Sequence, residues 1–302
     1  MHNKKFIKVR DITLFLLPAL LLFVGVLIAP ILMSGYYSLF DWNGMGDRTF
    51  VGLANYKELF TSIDINFLLA LRNSLLLAVL SVFLQLPLSL ALALALGKGI
   101  KGERLFLSVF FAPVLISTVV IGQLWLKIYN PDYGLLNSLL RALDLEDNIM
   151  RWTGDTKDVL WLGNVKIALG AVFVPTLWQY VGYHMLLMYA GVKGVPVDLR
   201  EAAMLDGASS GQVNRYIVLP YIKPIIKISI IFAVTGSLKS FDLIYVLTNG
   251  GPLHSTEVPS TLMISMMFLR NRYGMGSTIA VMLIILCFAF ALLIGAAFRK
   301  ED

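Results

Sequence analysis

The chain has 302 residues, of which 58% are hydrophobic and 15% charged, with a formal net charge of +6 and a mean hydropathy of +0.77. Soluble domains sit near half apolar with about a quarter of residues charged, so this balance excludes an ordinary water-soluble domain and makes lipid the expected solvent. A single cysteine, Cys287, and three scattered histidines, His2, His184 and His254, exclude a disulfide framework and offer no metal-binding spacing.

Six stretches reach the roughly 20 apolar residues of a transmembrane helix: residues 12–40, 68–96, 105–128, 167–192, 225–247 and 278–298. Barrel strands are about 10 residues long and alternate in polarity, whereas "SLLLAVLSVFLQLPLSLALALAL" does not alternate. The expected fold is an all-α membrane protein of six transmembrane helices over residues 12–298. The first stretch follows the basic "HNKKFIKVR" but is much longer than a signal core of about 7 to 15 residues. It reads as an uncleaved span.

Lys and Arg set the orientation, because cytoplasmic loops carry them in excess. Segment 1–11 holds Lys4, Lys5, Lys8 and Arg10, the second cytoplasmic piece holds Lys98, Lys101 and Arg104, and loop 193–223 holds Lys193, Arg200, Arg215 and Lys223. Tail 299–302 adds Arg299 and Lys300, whereas the outer loops, although longer, carry fewer. Both termini and loop 193–223 are expected in the cytoplasm. This bias accounts for the positive charge without a nucleic-acid partner. Pro18, Pro87, Pro113 and Pro175 fall within spans, where neighbouring groups must re-satisfy the backbone; they read as packing kinks or as points of bending.

The fourth span carries Trp178, Gln179, Tyr180, Tyr183 and His184. Tyr180, Tyr183 and His184 share a helix face by i, i+3, i+4 spacing, and rings with polar tips suit sugar faces and hydroxyls. Loop 193–223 contains "EAAMLDGASSGQVNRYIVLPYIKP". Asp198 and Glu201 have the spacing of an N-cap with its reciprocal partner, and Gly207 stands where a helix commonly stops. Ser209 and Gln212 form a second capping-box pattern, opening a segment expected to end or kink at Pro220 and Pro224. The loop therefore reads as a folded helix-turn-helix piece. Ala202, Ala203 and Ala208 let another backbone approach, Met204 and Leu205 are apolar plugs, and Glu201 and Asp206 are placed to pair with a basic partner, as for a helix seated in a groove. The plainer alternative is that Glu201 only caps and Asp206 only begins a turn.

The fifth span has the densest polar set at membrane depth: Thr235, Ser237, Lys239, Ser240 and Asp242. Such groups are costly against lipid and mark a cavity or a mutual pair. Lys239 and Asp242, three apart, share a face and are able to pair; left unpaired, Lys239 would favour an anionic substrate. Structural readings stand beside these, since tyrosines anchor helices at interfaces and serines join helices.

Enzymatic readings fail. "GASSG" at residues 207–211 matches a nucleophile elbow but lacks the strand that motif requires. No G-x-x-x-x-G-K-[ST] occurs, so the chain has no phosphate-cradling loop and no room beside six spans for an ATPase domain. A secondary transporter is the alternative function, but no internal repeat of the kind such folds carry is evident.

Glu201-Ala202-Ala203, then Asp206-Gly207-Ala208, Ile217, Leu219-Pro220 and Pro224 resemble the EAA loop of permease subunits of binding-protein-dependent ABC importers, the maltose and glycerol-3-phosphate (carbohydrate uptake) subfamily in particular. "FVGLANYKELF", "FFAPVLISTVVIGQLWLKIYNPDYGLLNSLL" and "LTNGGP" are similar to segments of that subfamily, so the likeness covers nearly the whole chain. Asn214 departs from it, standing where the pattern usually has an aromatic, with Tyr216 two residues on. The resemblance implies a type I importer permease fold of six core spans in a bacterial cell membrane. It implies a non-catalytic subunit that pairs with a second, different permease, with two ATPase subunits carrying ATP and Mg, and with an extracytoplasmic solute-binding protein that delivers a sugar or oligosaccharide; no cofactor is expected in this chain. By resemblance Glu201, Ala202, Ala203, Asp206, Gly207 and Ala208 couple to the ATPase. Gln179, Tyr180, Tyr183, Gly236, Ser237, Lys239, Ser240 and Asp242 line the substrate path.

Overall fold

The computed structural model of the chain describes Thr13 and residues 15–299. The expectations for Lys4, Lys5, Lys8, Arg10 and Lys300, and for His2, lie outside the described residues. In chain order the elements are α1 (Phe15–Tyr37), a two-residue antiparallel ribbon of β1 (Phe40–Asp41) and β2 (Thr49–Phe50), α2 (Ala54–Thr61) and α3 (Phe67–Leu96). There follow α4 (Glu103–Leu115), α5 (Thr118–Ile128), α6 (Leu135–Ala142), α7 (Glu146–Thr153), α8 (Ala168–Gly194) and α9 (Val197–Leu205). The chain closes with α10 (Ser210–Leu247), α11 (Pro259–Leu269) and α12 (Tyr273–Arg299). The ribbon departs from the all-helical expectation. It pairs Phe40 with Phe50 and Asp41 with Thr49, across a loop in which Gly44 and Gly46 take positive φ.

Among the described residues four helices, α1, α3, α10 and α12, are long and apolar enough to cross a membrane. The third expected span is not one continuous helix: α4 and α5 meet at 97°. Ile116 and Ser117 are extended there, with ψ of 138° and 132°, and Pro113 in the preceding turn withholds an amide donor. Counted as one, the bent pair is a fifth span. α8 has 27 residues, about 40 Å at 1.5 Å per residue, which is length enough. Its sequence is less apolar because Gln179, Tyr180, Tyr183 and His184 interrupt it.

α10 narrows one expectation, that it would end or kink at its prolines, and corrects another. It does not end at Pro220 or Pro224; a π-helical turn at Asn214–Val218 widens the coil just before Pro220, and the helix continues to Leu238. Such turns are a recognised way of absorbing a misfit within a helix. The helix then opens at residues 239–241 and resumes at Asp242. Lys239 and Asp242 consequently do not lie three apart on one helical face. Among the described residues no ion pair joins them.

The residues form two compact units, one within Met1–Ile65 and Met263–Ile284, the other within Asn66–Leu262 and Ile285–Asp302. In the first, Arg272 grips Glu58 with two bonds of 2.8 and 2.6 Å, the bidentate geometry that makes such pairs strong. The hydrogen bond from Arg272 holds the Glu58 carboxyl below the usual carboxylate range. Asn55 donates to the carbonyls of Ser38 and Phe40. A Cβ at Gly274 would meet the Phe40 oxygen at 2.0 Å, so only glycine permits that approach.

The second unit holds the larger core. α8 packs on α3, α4 and α10, with Met185 and Met188 against Leu86, Ala93 and Leu96. At Gly182 a Cβ would come 1.9 Å from the Phe110 carbonyl oxygen, and at Gly191 2.3 Å from Ile225. Small residues at such crossings let membrane helices approach closely, since lipid gives no hydrophobic drive between them. Ser89 in α3 donates to the Val181 carbonyl at 2.9 Å. Asn73 donates to the Glu257 carbonyl at 2.9 Å, fastening the loop after α10 to α3.

Candidate functional site

A cavity of about 460 Å³ opens inside the second unit. It lies where two helical irregularities meet a continuous helix: the α4–α5 bend contributes Val114 and Thr118, the opening in α10 contributes Lys239, Ser240, Phe241 and Asp242, and α8 presents Thr176, Gln179, Tyr180, Tyr183 and His184. α3 supplies Ser81 and Gln85, and the last helical turns before the opening supply Phe232, Thr235, Gly236 and Ser237. All eight residues expected on the substrate path therefore line one space. Pockets of roughly 300–1,000 Å³ with a mostly apolar wall and a few placed polar groups are the common form of small-molecule sites.

The polar wall is only partly committed. Gln179 is 2% exposed; its amide nitrogen donates to Thr118 Oγ1 at 3.1 Å, while its oxygen has no protein partner. His184 is 4% exposed, and its Nδ1 is likewise unpartnered. A buried polar atom left without a bond costs about 1–3 kcal/mol; both atoms belong to residues that line the cavity but are themselves closed off from solvent. Ser237 instead turns inward, donating to the Ala233 carbonyl at 2.9 Å and sitting 3.3 Å from Ser81; Thr235 back-bonds to Ile231. The ring of Tyr183 meets His184 at 5.2 Å edge-on and Phe232 at 6.4 Å, giving the cavity an aromatic flank. Lys239 and Asp242 are both exposed on its wall.

Ser81, Gln85 and Thr118 escaped the sequence reading. The signal available was a serine and a glutamine four apart in an otherwise apolar helix, a spacing that puts them on one face.

The second group of expected residues forms a separate surface. α9 begins after Pro196, and no side chain caps it. Asp198 is thus the second helical residue rather than the cap; it is an acid in the first turn, where the helix dipole favours it. The far end follows expectation: Gly207 has φ +87°, its amide bonds to Met204 and that of Ala208 to Ala203, the paired closure of a Schellman motif. Ser209 and Gln212 form the reciprocal capping box, so Ser209 is a helix cap. Glu201, Ala202, Asp206 and Gly207 are exposed, and Leu205 is 89% exposed. Ala203 and Ala208 are half-buried and pack on the chain's own Val192, Val213 and Ile222 cluster, which removes them from the outward face. Asn214 lies in the π-helical turn, and the exposed Tyr216 ring is covered by Arg215 at 5.6 Å.

This surface is tied to the cavity through α8. Arg200 donates to the Val192 carbonyl, Lys193 pairs with Glu103 at 3.2 Å, and the Tyr189 hydroxyl bonds the same carboxylate. Of these three bonds only that of Arg200 joins α9 to α8; Glu103 belongs to α4, so the other two fasten the same end of α8 to α4.

Comparison with known proteins gives a consistent result. Residues 85–300 match the family described as binding-protein-dependent transport system inner membrane component. The chain is 38% identical over 296 residues to the probable ABC transporter permease protein YurN of Bacillus subtilis, covering 96% of this chain and 97% of that one. It is 31% identical to the trehalose/maltose transport system permease protein MalF of Thermococcus litoralis, covering 92% and 90%. Its fold is that of a chain in the crystal structure of a bacterial ABC transporter involved in alginate import, with a TM-score of 0.83 over 99% of both chains at 23% identity.

Proposed function

The chain belongs to the family of binding-protein-dependent transport inner membrane components, and from that premise we propose that it is one of two permease subunits of an ATP-driven importer for a sugar or oligosaccharide. It is a multi-pass membrane protein of the ABC permease type. In the proposed complex six spans, α8 and the bent pair included, cross the cell membrane with both termini inside. A second, different permease completes the path, two ATPase subunits carrying ATP and Mg dock on α9, and an extracytoplasmic binding protein delivers the substrate. This chain itself catalyses nothing.

The observation that carries the reading is a cavity that gathers aromatic faces and polar side chains at the opening of α10. Such a lining suits a polyhydroxylated solute, and the relatives include a permease named for trehalose and maltose. Glu201, Asp206 and Leu205 are the exposed groups that would enter a cleft of the ATPase. ATP-driven approach of two such helices would turn α8 and α10 as levers and switch the cavity between the two sides of the membrane.

Affinity purification from the native membrane in mild detergent, beside the Glu201→Ala, Asp206→Ala double variant, tests this. An ATPase and a second permease should accompany the wild-type chain and weaken with the variant. A chain that purifies alone in both forms would refute the assignment.

A further inference from the structure

Residues 75–96 of α3 are apolar except at Ser81, Gln85 and Ser89, which recur every four residues and so share one face of the helix. The outer two are committed. Ser81 sits 3.3 Å from Ser237 in α10, and Ser89 donates to the Gln85 carbonyl and, at 2.9 Å, to the Val181 carbonyl in α8. They join helices, as serines in membrane bundles commonly do.

Gln85, between them, joins nothing. It is 2% exposed and lines the cavity, yet among the described residues its side-chain amide makes no hydrogen bond. Neither of its amide atoms is closed off as the Gln179 oxygen is. The part of Gln85 left open is therefore the amide, and the space beside it is the cavity. The backbone accounts for this placement. A π-helical turn spans Ser81–Gln85, two residues ahead of Pro87. Proline withholds an amide donor and its ring crowds the carbonyl four residues back, which a widened turn relieves; the same order recurs at Asn214–Val218 and Pro220. An unbroken α-helix drifts by about 40° every four residues. The residue added in the π-turn takes that drift back, so Leu77, Ser81 and Gln85 all reach the cavity wall.

We propose that Gln85 is a specificity-determining residue of the importer, its amide hydrogen-bonding an uncharged hydroxyl of the transported sugar. This rests on the sugar-importer reading above and adds to it a wall, that of α3, outside the two helices in which the expected substrate residues lie. An amide both donates and accepts, as a hydroxyl does, so the two match in either direction. A site built to bond a hydroxyl discriminates strongly against a solute that lacks it.

Two measurements on the chain purified with its associated subunits test this. In a Cys287→Ala background, Gln85→Cys should react severalfold faster with a water-soluble, positively charged methanethiosulfonate than Leu86→Cys, the neighbouring position in the core between α3 and α8. Equal rates would overturn the proposal whatever the solute. The second measurement is equilibrium binding of radiolabelled maltose, trehalose and diacetylchitobiose in the absence of a binding protein, with monodeoxy analogues as competitors. Gln85→Leu should bind about tenfold more weakly the sugar that wild type binds. One monodeoxy analogue should compete about tenfold less well than its parent on wild type and equally well on Gln85→Leu. A purely structural role would weaken parent and analogues alike, and that result, or an unchanged affinity, would overturn the proposal. A wild-type chain that binds none of the three sugars while Gln85→Cys is labelled would count against the sugar reading itself, and the proposal would fall with it.

Discussion

Gln179 exemplifies how a membrane helix prepares for a guest. Its amide nitrogen is anchored on Thr118 and its oxygen is buried without a partner, and in the proposed function this side chain contacts the substrate. Replacing it with Leu should weaken half-saturation for uptake by about tenfold, the equivalent of one hydrogen bond to a buried group, with little change in the amount of protein in the membrane; radiolabelled uptake across substrate concentrations checks this. At Glu58 the polarity is reversed, because the charged form is the one the fold prefers. Arg272 lowers the carboxyl below its ordinary value of 4.5, so the pair contributes fully above that value and is lost as pH falls through the lower folded one. Thermal unfolding at neutral pH should show Arg272→Gln less stable than wild type, with the gap closing as the pH is taken below 4.5.

Among the elements, α8 and α10 were the most legible in sequence, and for one physical reason. Polar atoms at membrane depth are expensive, so Gln179, Tyr183, Lys239 and Asp242 announced a cavity on their own. The break in α10 was not legible: Lys239 and Asp242 suggested a pair only while the helix was taken as continuous. The α4–α5 bend was marked only by Pro113, one of four prolines read alike as kinks or points of bending. Ser81 and Gln85 were missed because an isolated polar residue among leucines looks the same whether it faces a helix or a cavity. Glycines act at this scale too. Gly182→Ala places a carbon where the Phe110 carbonyl stands and should cost about 1–3 kcal/mol by overpacking, read as lower thermal stability of the detergent-solubilised subunit. Ser209→Ala removes half of a capping box and should cost about 1 kcal/mol, visible as faster hydrogen exchange at residues 210–213.

For the molecule as a whole, the proposed function requires the α9 surface, at the C-terminal end of α8, and the cavity, at the middle of α8, to work together. Leu205→Asp puts a charge on the most exposed apolar side chain of α9 without touching the cavity or the Val192 cluster. Uptake in whole cells should fall at least tenfold while the subunit remains in the membrane at wild-type amounts, measured by immunoblot of the membrane fraction; unchanged uptake would separate α9 from coupling. Gln179→Leu should leave association with the ATPase intact. The two variants thus divide docking from recognition.

The unit that contains Glu58 and Arg272 is assembled from the first 65 residues and from residues 263–284, and this has a consequence for how the protein is made. A ribosome emitting roughly 5–20 residues per second needs on the order of ten to forty seconds to reach the second segment after finishing the first. During that interval α1, the ribbon and α2 stand in or beside the bilayer with Glu58 unanswered and the groove for Gly274 empty. A segment made before the second unit is completed only after it, and a nascent chain stalled before Arg272 would present quality-control proteases with the unit of Glu58 unfinished.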